Sequence, residues 1–320
     1  MKPVTKKILI LSTCLMGAGV LLTCAGIAAG GWPGFKITRN GLRSSATQRQ
    51  PYILEKTQIG SFSSLDINIG SEADIILEPS DDDHFYLEYT LDGDYNEPSC
   101  KISDGTLHFT HGDTGAVVNG VYFFGPGTDS ENITPEIHLY IPEGLQLSDL
   151  TVYNDYGNLS IQQIKAEHAD INLDYGDMDL TDSTFASADI DISAGDFEAD
   201  ASSVDELSFI NEYGDSEFNS MTVKTADLTI ECGDLLLETA GLETLTGVNE
   251  YGDTSLLLHD PLNEYTLNLS TEYGVITIPD NAPGRLDATD IAEMSYTSQA
   301  DGNKMIEFTA ESGDIEMKSD

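Results

Sequence analysis

The amino-acid sequence predicts an all-β protein of 320 residues, built as a β-solenoid with two strands per rung of about 19 residues, after an N-terminal transmembrane helix. Three observations predict this fold class. A glycine-centred motif recurs at a fixed short interval, apolar and polar residues alternate between its copies, and a long uncharged segment lies near the N-terminus. Nothing between the motif copies has the 3.6-residue spacing of an amphipathic helix.

The N-terminal segment has the composition of a membrane anchor. Residues 1–7 contain three lysines, and residues 8–32 form an uncharged, mainly apolar run. About 20 apolar residues span a bilayer as a helix, and flanking lysines stay on the cytoplasmic side. We therefore expect a single-pass protein of the cell membrane with a cytoplasmic N-terminus and an extracytoplasmic C-terminal domain. A cleaved signal peptide, or a lipoprotein signal ending at Cys14 or Cys24, is the alternative.

Two parts without a regular period follow the anchor. Residues 33–60 are polar with several basic side chains, as in a juxtamembrane linker. Residues 61–150 are β-rich, and a hairpin at 101–110 has Asp-Gly at its turn. We expect irregular early rungs here that cap the stack and cover its open edge. Residues 112–132 are predicted to be a loop insertion, whose aromatic cluster at 122–124 either packs under the loop or binds a partner.

A five-residue motif sets the period of the regular solenoid, which is predicted at residues 151–320. NEYGD occurs at 211–215 and again at 249–253, and close variants surround both copies. The motif glycines are separated by 19 residues five times and then by 22, and an eighth copy closes the chain. The predicted turn glycines are Gly157, Gly176, Gly195, Gly214, Gly233, Gly252, Gly274 and Gly313.

The residues between these glycines predict two strands per repeat. Apolar side chains lie two and four positions after most of the glycines, as at Leu159 and Ile161. A second alternating series follows later in the repeat, as at Ala169, Ile171 and Leu173. Alternation with a period of two is typical of a strand with one buried face. Each repeat is therefore predicted to be strand, turn, strand, turn, around one apolar column.

The motif itself is predicted to be a corner of each rung. Glycine adopts positive φ angles at little steric cost, and the adjacent Asp or Asn suits tight turns. The tyrosine before each glycine falls in phase with the inward positions. The sequence therefore predicts an inward aromatic stack at the corner, interrupted at Ala194 and Cys232.

Charge and cysteine content restrict the partners. The formal net charge is −42, and the chain after residue 30 has 11 basic residues against 56 acidic ones. Such a surface repels nucleic acid and anionic lipid headgroups, so nucleic acid is excluded as a partner and basic partners are favoured. Cys100 and Cys232 could form one disulfide in an oxidising compartment, but the spacing favours two buried, unpaired thiols.

The anchor, the proline-bounded strand IHLYIP at 137–142 and the serial YGD turns together resemble the putative adhesin family of bacterial envelope proteins, a Gly-Asp-repeat β-solenoid domain family of unknown function. The resemblance covers roughly residues 60–317. It implies a membrane-tethered extracytoplasmic solenoid. Some relatives are encoded beside envelope-stress signalling genes, which implies a regulatory role as an alternative. The family supplies no catalytic residues for this chain.

The aspartate that follows the glycine in each of five successive motif copies is the most specific candidate for a binding site, because these aspartates are predicted to form a column along one corner. Like charges separated by one strand spacing, about 4.8 Å, repel each other, and a hard cation such as Ca²⁺ would relieve that repulsion. The calcium nonapeptide pattern GGxGxDxUx is absent, and a solvated acidic edge that prevents aggregation is the favoured interpretation. We therefore expect no cofactor and no firm metal site, with Ca²⁺ as the one candidate ligand. The candidate residues are Asp177, Asp196, Asp215, Asp234 and Asp253.

An enzyme is not expected. Solenoids that cleave polysaccharides need a paired acid and base in a groove, often with a basic side chain that stabilises charge. Between the first and the seventh motif glycine, Lys165 and Lys224 are the only Lys or Arg residues, and Arg285 follows before the last rung. No acid is singled out by its position, and GxSxG, HExxH and P-loop motifs are absent. No catalytic residue is predicted, and a polysaccharide-active enzyme stays only as a minor alternative.

Two functions remain after these exclusions. The chain is expected to be a non-enzymatic interaction scaffold of the cell envelope, with adhesin-like contacts to a protein or to another envelope component. The alternative is an accessory regulator of envelope-stress signalling that acts through a membrane-protein partner. A rod of about eight rungs reaches roughly 40 Å, which is short beside a thick cell wall, so a contact near the membrane is expected at least as much as one with a distant surface. Basic or cationic ligands suit either function.

Overall fold

The computed structural model describes residues 35–38, 41–44, 50–93, 95–112, 133–280, 282–288 and 293–319, together with four residues in the N-terminal segment. The chain divides into two compact units. The first comprises residues 1–51 and 115–133, and the second comprises residues 52–114 and 134–320.

The first unit is described mainly by one hairpin. Strand β1 (Phe35–Thr38) pairs antiparallel with β2 (Gly41–Ser44). The predicted anchor at 8–32 and the predicted loop at 112–132 lie almost entirely outside the described residues, so both stay expectations. Among the residues that the structure describes, no helix is both long and apolar enough to cross a membrane.

The second unit begins with two rungs and three capping strands. Its first strands are β3 (Tyr52–Ile59), β4 (Ser64–Glu72), β5 (Asp74–Ser80), β6 (Phe85–Leu91), β7 (Ser99–Ser103), β8 (Thr106–Gly112) and β9 (Glu136–Pro142). The rung of β4 and β5 pairs in parallel with a rung made by β8 and β9. Strand β7 pairs antiparallel with β8, and β6 pairs antiparallel with β9 and β3, so these strands cover the outer edge of the stack.

The Asp-Gly hairpin predicted at 101–110 is confirmed. It joins β7 to β8, and Asp104 and Gly105 have φ angles of 53° and 82°. Two consecutive residues with positive φ are the requirement of a type I′ turn, whose twist matches the flanking strands.

The middle of the second unit is a regular solenoid, as the sequence predicts. The strands are β10 (Gln146–Tyr156), β11 (Leu159–Gln162), β12 (Lys165–Leu173), β13 (Met178–Thr181), β14 (Thr184–Ile192), β15 (Phe197–Asp200), β16 (Ser203–Tyr213), β17 (Ser216–Cys232), β18 (Leu235–Ala240), β19 (Thr244–Tyr251) and β20 (Thr254–Leu258). Each pairs in parallel with its equivalent 19 residues away, as Ile171 does with Ile190. The long strand β17 contributes its first part to one rung and its second part to the next.

The C-terminal rungs are not stacked in chain order. After a 3₁₀ helix (Leu262–Glu264), the strands are β21 (Tyr265–Tyr273), β22 (Ile276–Thr277), β23 (Arg285–Ala288), β24 (Met294–Thr297), β25 (Lys304–Ser312) and β26 (Ile315–Ser319). Strand β25 pairs in parallel with β19 on one edge and β21 on the other, and β26 lies likewise between β20 and β22. The last rung in the sequence is therefore inserted between two others in the stack. The end of the stack is the β21–β22 rung, where β24 pairs antiparallel with β21.

A glycine in the core column accommodates the inserted rung. The column of Ile190, Phe209 and Leu228 continues to Gly247 and then to Phe308 of β25. A Cβ atom on Gly247 would lie 2.5 Å from Cε2 of Phe308. Because the glycine leaves this space, the ring of the C-terminal strand packs there. Within the described residues the two-strand rungs number ten, and at about 4.8 Å per rung the stack is roughly 45 Å tall.

The core lies where the alternation predicts it. Leu159, Ile161, Ile171 and Leu173 are each at most 1% exposed. In the middle of the stack the rings of Phe197, Phe209 and Phe218 pack at centroid distances of 4.7–5.1 Å. Aromatic contacts of this kind stabilise the core beyond the burial of apolar area.

Candidate functional site

The motif glycines form one column along a corner of the stack. In stack order they are Gly157, Gly176, Gly195, Gly214, Gly233, Gly252, Gly313 and Gly274. The φ angle of Gly214 is +145°, and a Cβ atom there would collide with the carbonyl group of Gly195 in the adjacent rung. Gly313 and Gly274 make the same close approach. The corner thus needs glycine both for its dihedral angle and for backbone contact between rungs.

The residues after these glycines form a hydrogen-bonded ladder. Asp177 accepts a 2.9 Å hydrogen bond through Oδ1 from the backbone N–H of Asp196, and the same contact repeats in rung after rung. The last donor is the N–H of Val275. In stack order the acceptors are Asp74, Asn158, Asp177, Asp196, Asp215, Asp234, Asp253 and Asp314. One carboxylate oxygen of each aspartate therefore has a structural role, and the sequence pattern missed Asp74 and Asp314 because they lie outside the 19-residue series.

The asparagine of NEYGD is a buried residue whose role the sequence analysis missed. Asn211 is fully buried, and its Nδ2 donates to the carbonyl oxygens of Gly195 and Gly214 and to Oγ of Ser216. Nδ2 of Asn249 likewise donates to the carbonyl oxygen of Gly233 and to Oγ1 of Thr254. The amide thus joins the glycine corners of two rungs, and its repetition three residues before the glycine was the available signal.

The motif tyrosines lie on the surface, which corrects the predicted inward stack. Tyr213 and Tyr251 are each 58% exposed. The inside-outside alternation ends at the buried residue three positions before the glycine. The turn then places the next side chains, including the tyrosine, on the outer side of the corner. We call the exposed column of Tyr156, Tyr175, Tyr213, Tyr251 and Tyr273 the tyrosine ridge.

The tyrosine ridge has a regular spacing. Tyr156 and Tyr175 occupy adjacent rungs, and their rings are parallel within 3° at a centroid distance of 5.3 Å. Beyond Tyr175, tyrosines alternate with small side chains, which are Ala194, Cys232 and Ser312. Two rungs separate consecutive tyrosines there, so their spacing is about 9.6 Å. We call the three positions between the rings the ridge gaps.

Acidic columns flank the tyrosine ridge on both sides. Along the chain, the ladder residue follows each ridge position by two residues. An acid comes directly before the ridge tyrosine at Asp174, Glu212, Glu250 and Glu272, and Glu231 comes directly before the Cys232 gap. A groove of about 410 Å³ runs along the ladder. Its acidic lining consists of the ladder residues Asp215, Asp234, Asp253 and Asp314 together with Glu217 and Glu316.

Three aspartates on or next to β12, β13 and β14 have pKa values that their surroundings raise. Burial, and then the charges of Asp155 and Asp191, raise the pKa of Asp174. Burial and the charge of Asp189 raise the pKa of Asp191, and burial and the charge of Asp177 raise the pKa of Asp179. Each of these carboxyls therefore holds its proton to a higher pH than an aspartate with the ordinary pKa does.

The predicted metal candidates lie together in the ladder, but they do not converge on one point. Within the described parts of the chain, no group of three or more His, Cys, Asp or Glu side chains is placed to hold a metal ion. The role of Asp177, Asp196, Asp215, Asp234 and Asp253 in binding Ca²⁺ stays a prediction. Cys100 and Cys232 are both free thiols, and Cys100 is exposed rather than buried.

The sequence profile of the Toastrack DUF4097 family matches residues 62–318. The fold is similar to a putative adhesin from Parabacteroides distasonis ATCC 8503, with 14% identity, a TM-score of 0.49, and coverage of 83% of this chain and 97% of that one. A putative adhesin from Parabacteroides merdae ATCC 43184 has 12% identity, a TM-score of 0.45, and coverage of 84% and 96%. One from Bacteroides fragilis NCTC 9343 has 10% identity, a TM-score of 0.40, and coverage of 83% and 97%. No curated protein matches the chain.

Proposed function

The chain belongs to the Toastrack DUF4097 family, and from this premise we propose that it is a membrane-anchored, extracytoplasmic β-solenoid that acts as a non-enzymatic interaction scaffold of the cell envelope. The tyrosine ridge is the observation that carries this proposal. Its rings are arranged in a line on a rigid stack, whereas surface aromatics elsewhere in proteins are usually scattered. Aromatic side chains on a polar, charged surface are typical of contact sites for other molecules.

The arrangement of the acids supports binding rather than catalysis. Hydrolysis of a glycosidic bond needs one acid and one base with different environments at a defined separation. In this chain the same acid recurs at the same corner position, as at Asp196, Asp215 and Asp234, and each accepts the same backbone hydrogen bond. A repeated, equivalent surface suits an extended ligand.

The placement in the membrane rests on residues 8–32. Their uncharged, apolar composition and the three preceding lysines favour a single-pass anchor with the acidic domain outside the cytoplasm. A cleaved signal peptide would release the same domain from the membrane. Protease digestion of intact cells separates these outcomes, because an anchored domain is digested while its short N-terminal tail stays with the membrane.

Regulation of envelope-stress signalling is the second candidate function. The stack is roughly 45 Å tall, and the tyrosine ridge extends to Tyr273 in the last rung, so one end of the ridge lies at an end of the solenoid. A membrane protein with a modest extracytoplasmic domain could therefore contact the ridge. In this function the chain would restrain its partner until another ligand displaces it from the ridge.

In-cell photocrosslinking of the full-length chain tests both functions. A photoreactive phenylalanine analogue replaces Tyr213 on the ridge, and a matched chain carries it at the exposed Glu206, which lies away from the corner. Mass spectrometry then identifies the adducts. Wall polymers or surface proteins at position 213 support the scaffold, and a membrane signalling protein there supports the regulator. Equal adducts at both positions, or none at either, would overturn the proposal that the ridge is the contact surface.

A further inference from the structure

We propose that the tyrosine ridge binds a basic peptide segment in the polyproline II conformation, with a lysine or arginine at every third residue. This inference rests on the proposed function, because it takes the ridge as the contact surface. It adds the chemical class of the ligand and the register in which that ligand binds. Each basic side chain would occupy one ridge gap.

The geometry of a ridge gap suits a cation. Tyr213 and Tyr251 are separated by the rung of Cys232, so a group above Cys232 lies about 4.8 Å from each ring position along the stack. A cation interacts favourably with an aromatic ring when it lies within about 6 Å of the ring centroid. One cation in the gap can therefore interact with both rings at once. The Ala194 gap likewise lies between Tyr175 and Tyr213, and the Ser312 gap lies between Tyr251 and Tyr273.

Elsewhere in the protein one ammonium already contacts two tyrosine rings at once. Tyr86 and Tyr140 are register partners on adjacent strands, and Nζ of Lys56 lies over both rings. The ammonium is 3.4 Å from the centroid of Tyr140 and 5.3 Å from that of Tyr86. The hydroxyl of Tyr140 donates to a carboxylate of Glu88 at 3.4 Å. This fold thus already contains one cation that interacts with two tyrosines beside an acid.

Carboxylates beside the gaps complement a basic ligand. The Cys232 gap has Glu231 on one side and Asp234 on the other, and the ladder aspartates use one oxygen for the backbone of the next rung. In the described residues the corner has no lysine or arginine, while the chain as a whole has a net charge of −42. Neutral sugars could stack on the rings, but they would make no use of this charge.

The spacing of the gaps selects the conformation of the peptide. Polyproline II has three residues per turn and a rise of about 3.1 Å per residue, so every third side chain points the same way at intervals of about 9.3 Å. The gaps recur at about 9.6 Å, so the mismatch over three gaps is only about 0.6 Å. In a β-strand, same-face side chains recur at about 6.7 Å, and two turns of an α-helix span about 10.8 Å. Both of these drift out of register along the ridge.

Two synthetic peptides of equal composition test the register. One contains four repeats of Arg-Pro-Pro, and the other places its four arginines together before the eight prolines. Calorimetry with the full chain in detergent micelles measures both affinities at low salt and at 0.15 M salt. The repeating peptide is expected to bind at least about fivefold more tightly, as the gain of a further cation between aromatic rings predicts. Equal affinities would overturn the inference, because charge alone would then explain binding.

Substitutions at the corner test the gaps themselves. Cys232→Tyr fills the central gap with the side chain that other rungs carry at this position, so the fold is expected to persist while affinity for the repeating peptide falls about fivefold or more. Glu231→Gln should also weaken binding, whereas Glu206→Gln, away from the ridge, should not. Unchanged affinity in a folded Cys232→Tyr chain would overturn the inference. Crosslinks from position 213 in cells would still support the scaffold in that case, so failure of the ligand class is distinguishable from failure of the proposed function.

Discussion

The backbone N–H of Asp215 donates a 2.9 Å hydrogen bond to Oδ1 of Asp196, one rung away in the stack. The same relationship links Asp234 to Asp215 and Asp253 to Asp234. These aspartates, which the sequence offers as candidate cation ligands, therefore also accept hydrogen bonds from the backbone at the corner. Each aspartate can thus affect stability through its hydrogen bond and through its charge.

Replacement of Asp215 separates these two contributions. Asp215→Ala removes the acceptor for the N–H of Asp234, and we expect it to lower the free energy of unfolding by about 1 kcal/mol. Asp215→Asn keeps an acceptor oxygen, as Asn158 does naturally in its rung, and removes one charge from the column. It should be at least as stable as the natural chain at low salt. Urea denaturation of both variants measures the difference, and equal destabilisation would show that the ladder contributes through charge instead.

The hypothesis that the aspartate ladder binds calcium predicts a higher melting temperature at millimolar calcium and low ionic strength. The reason is that a bound divalent cation offsets repulsion between adjacent carboxylates and stabilises the folded state by mass action. Sodium chloride at the same ionic strength is the control. A chain with Asp196→Asn, Asp215→Asn and Asp234→Asn should lose the calcium effect. An unchanged melting curve in the natural chain would reject a role for these residues in binding calcium.

The glycine column is expected to tolerate no side chain. Gly214→Ala places a Cβ atom against the carbonyl group of Gly195, so backbone of two rungs must separate, and we expect a loss of more than about 3 kcal/mol. Gly144→Ala is the matched control, because Gly144 has a φ of +74° but no atom near the added Cβ. That variant should lose only about 1 kcal/mol for its dihedral angle. Similar losses in both would show that the corner requires the dihedral angle alone.

The inserted C-terminal rung predicts an energetic coupling between Gly247 and Phe308. Gly247→Ala places a methyl group 2.5 Å from the phenylalanine ring, and overpacking of this kind costs about 1–3 kcal/mol. Phe308→Leu shortens the side chain, so the double variant should lose less stability than the sum of the single variants. Thermal denaturation of the three chains measures this coupling. Simple additivity would argue against the contact between β19 and β25.

Mild acid is expected to stabilise the fold. The folded-state pKa values of Asp174 and Asp191 are raised, first by burial and then by neighbouring acids. A raised folded pKa gives a contribution that is fully present below the unfolded pKa, about 3.9, and is lost as the pH rises through the folded value. The melting temperature should therefore increase as the pH falls from 7 toward about 4. In a chain with Asp174→Asn and Asp191→Asn this increase should be smaller, and an identical pH profile would assign the effect to other groups.

The local structure of the repeats was predictable because it depends on short-range patterns. Alternation with a period of two identifies the buried residues of each strand, such as Ile171 and Ile190, and both lie in the core. A fixed interval between glycines places the corners in register along the stack. Neither inference needs knowledge of distant contacts.

The orientation of the tyrosines was not predictable from the same alternation. If the alternation of buried and exposed residues is continued along the strand, Tyr213 is predicted to be buried. This alternation holds only while the backbone is extended. The corner begins between Asn211, which is buried, and Tyr213, which is exposed. The exact residue at which a strand becomes a turn depends on hydrogen bonds between rungs, including those that Asn211 donates to Gly195 and Gly214.

The sequence by itself determined the all-β class, the two-strand rung and the glycine corner, because each follows from side-chain parity and local backbone preference. Only the tertiary structure decided the order of the rungs. Every rung presents similar parallel edges at the same spacing, so the pattern cannot identify which two rungs are neighbours. Side-chain packing decides the order of the rungs. Because Gly247 has no side chain, it leaves space that the ring of Phe308 fills, and the last segment of the chain lies inside the stack rather than at its end.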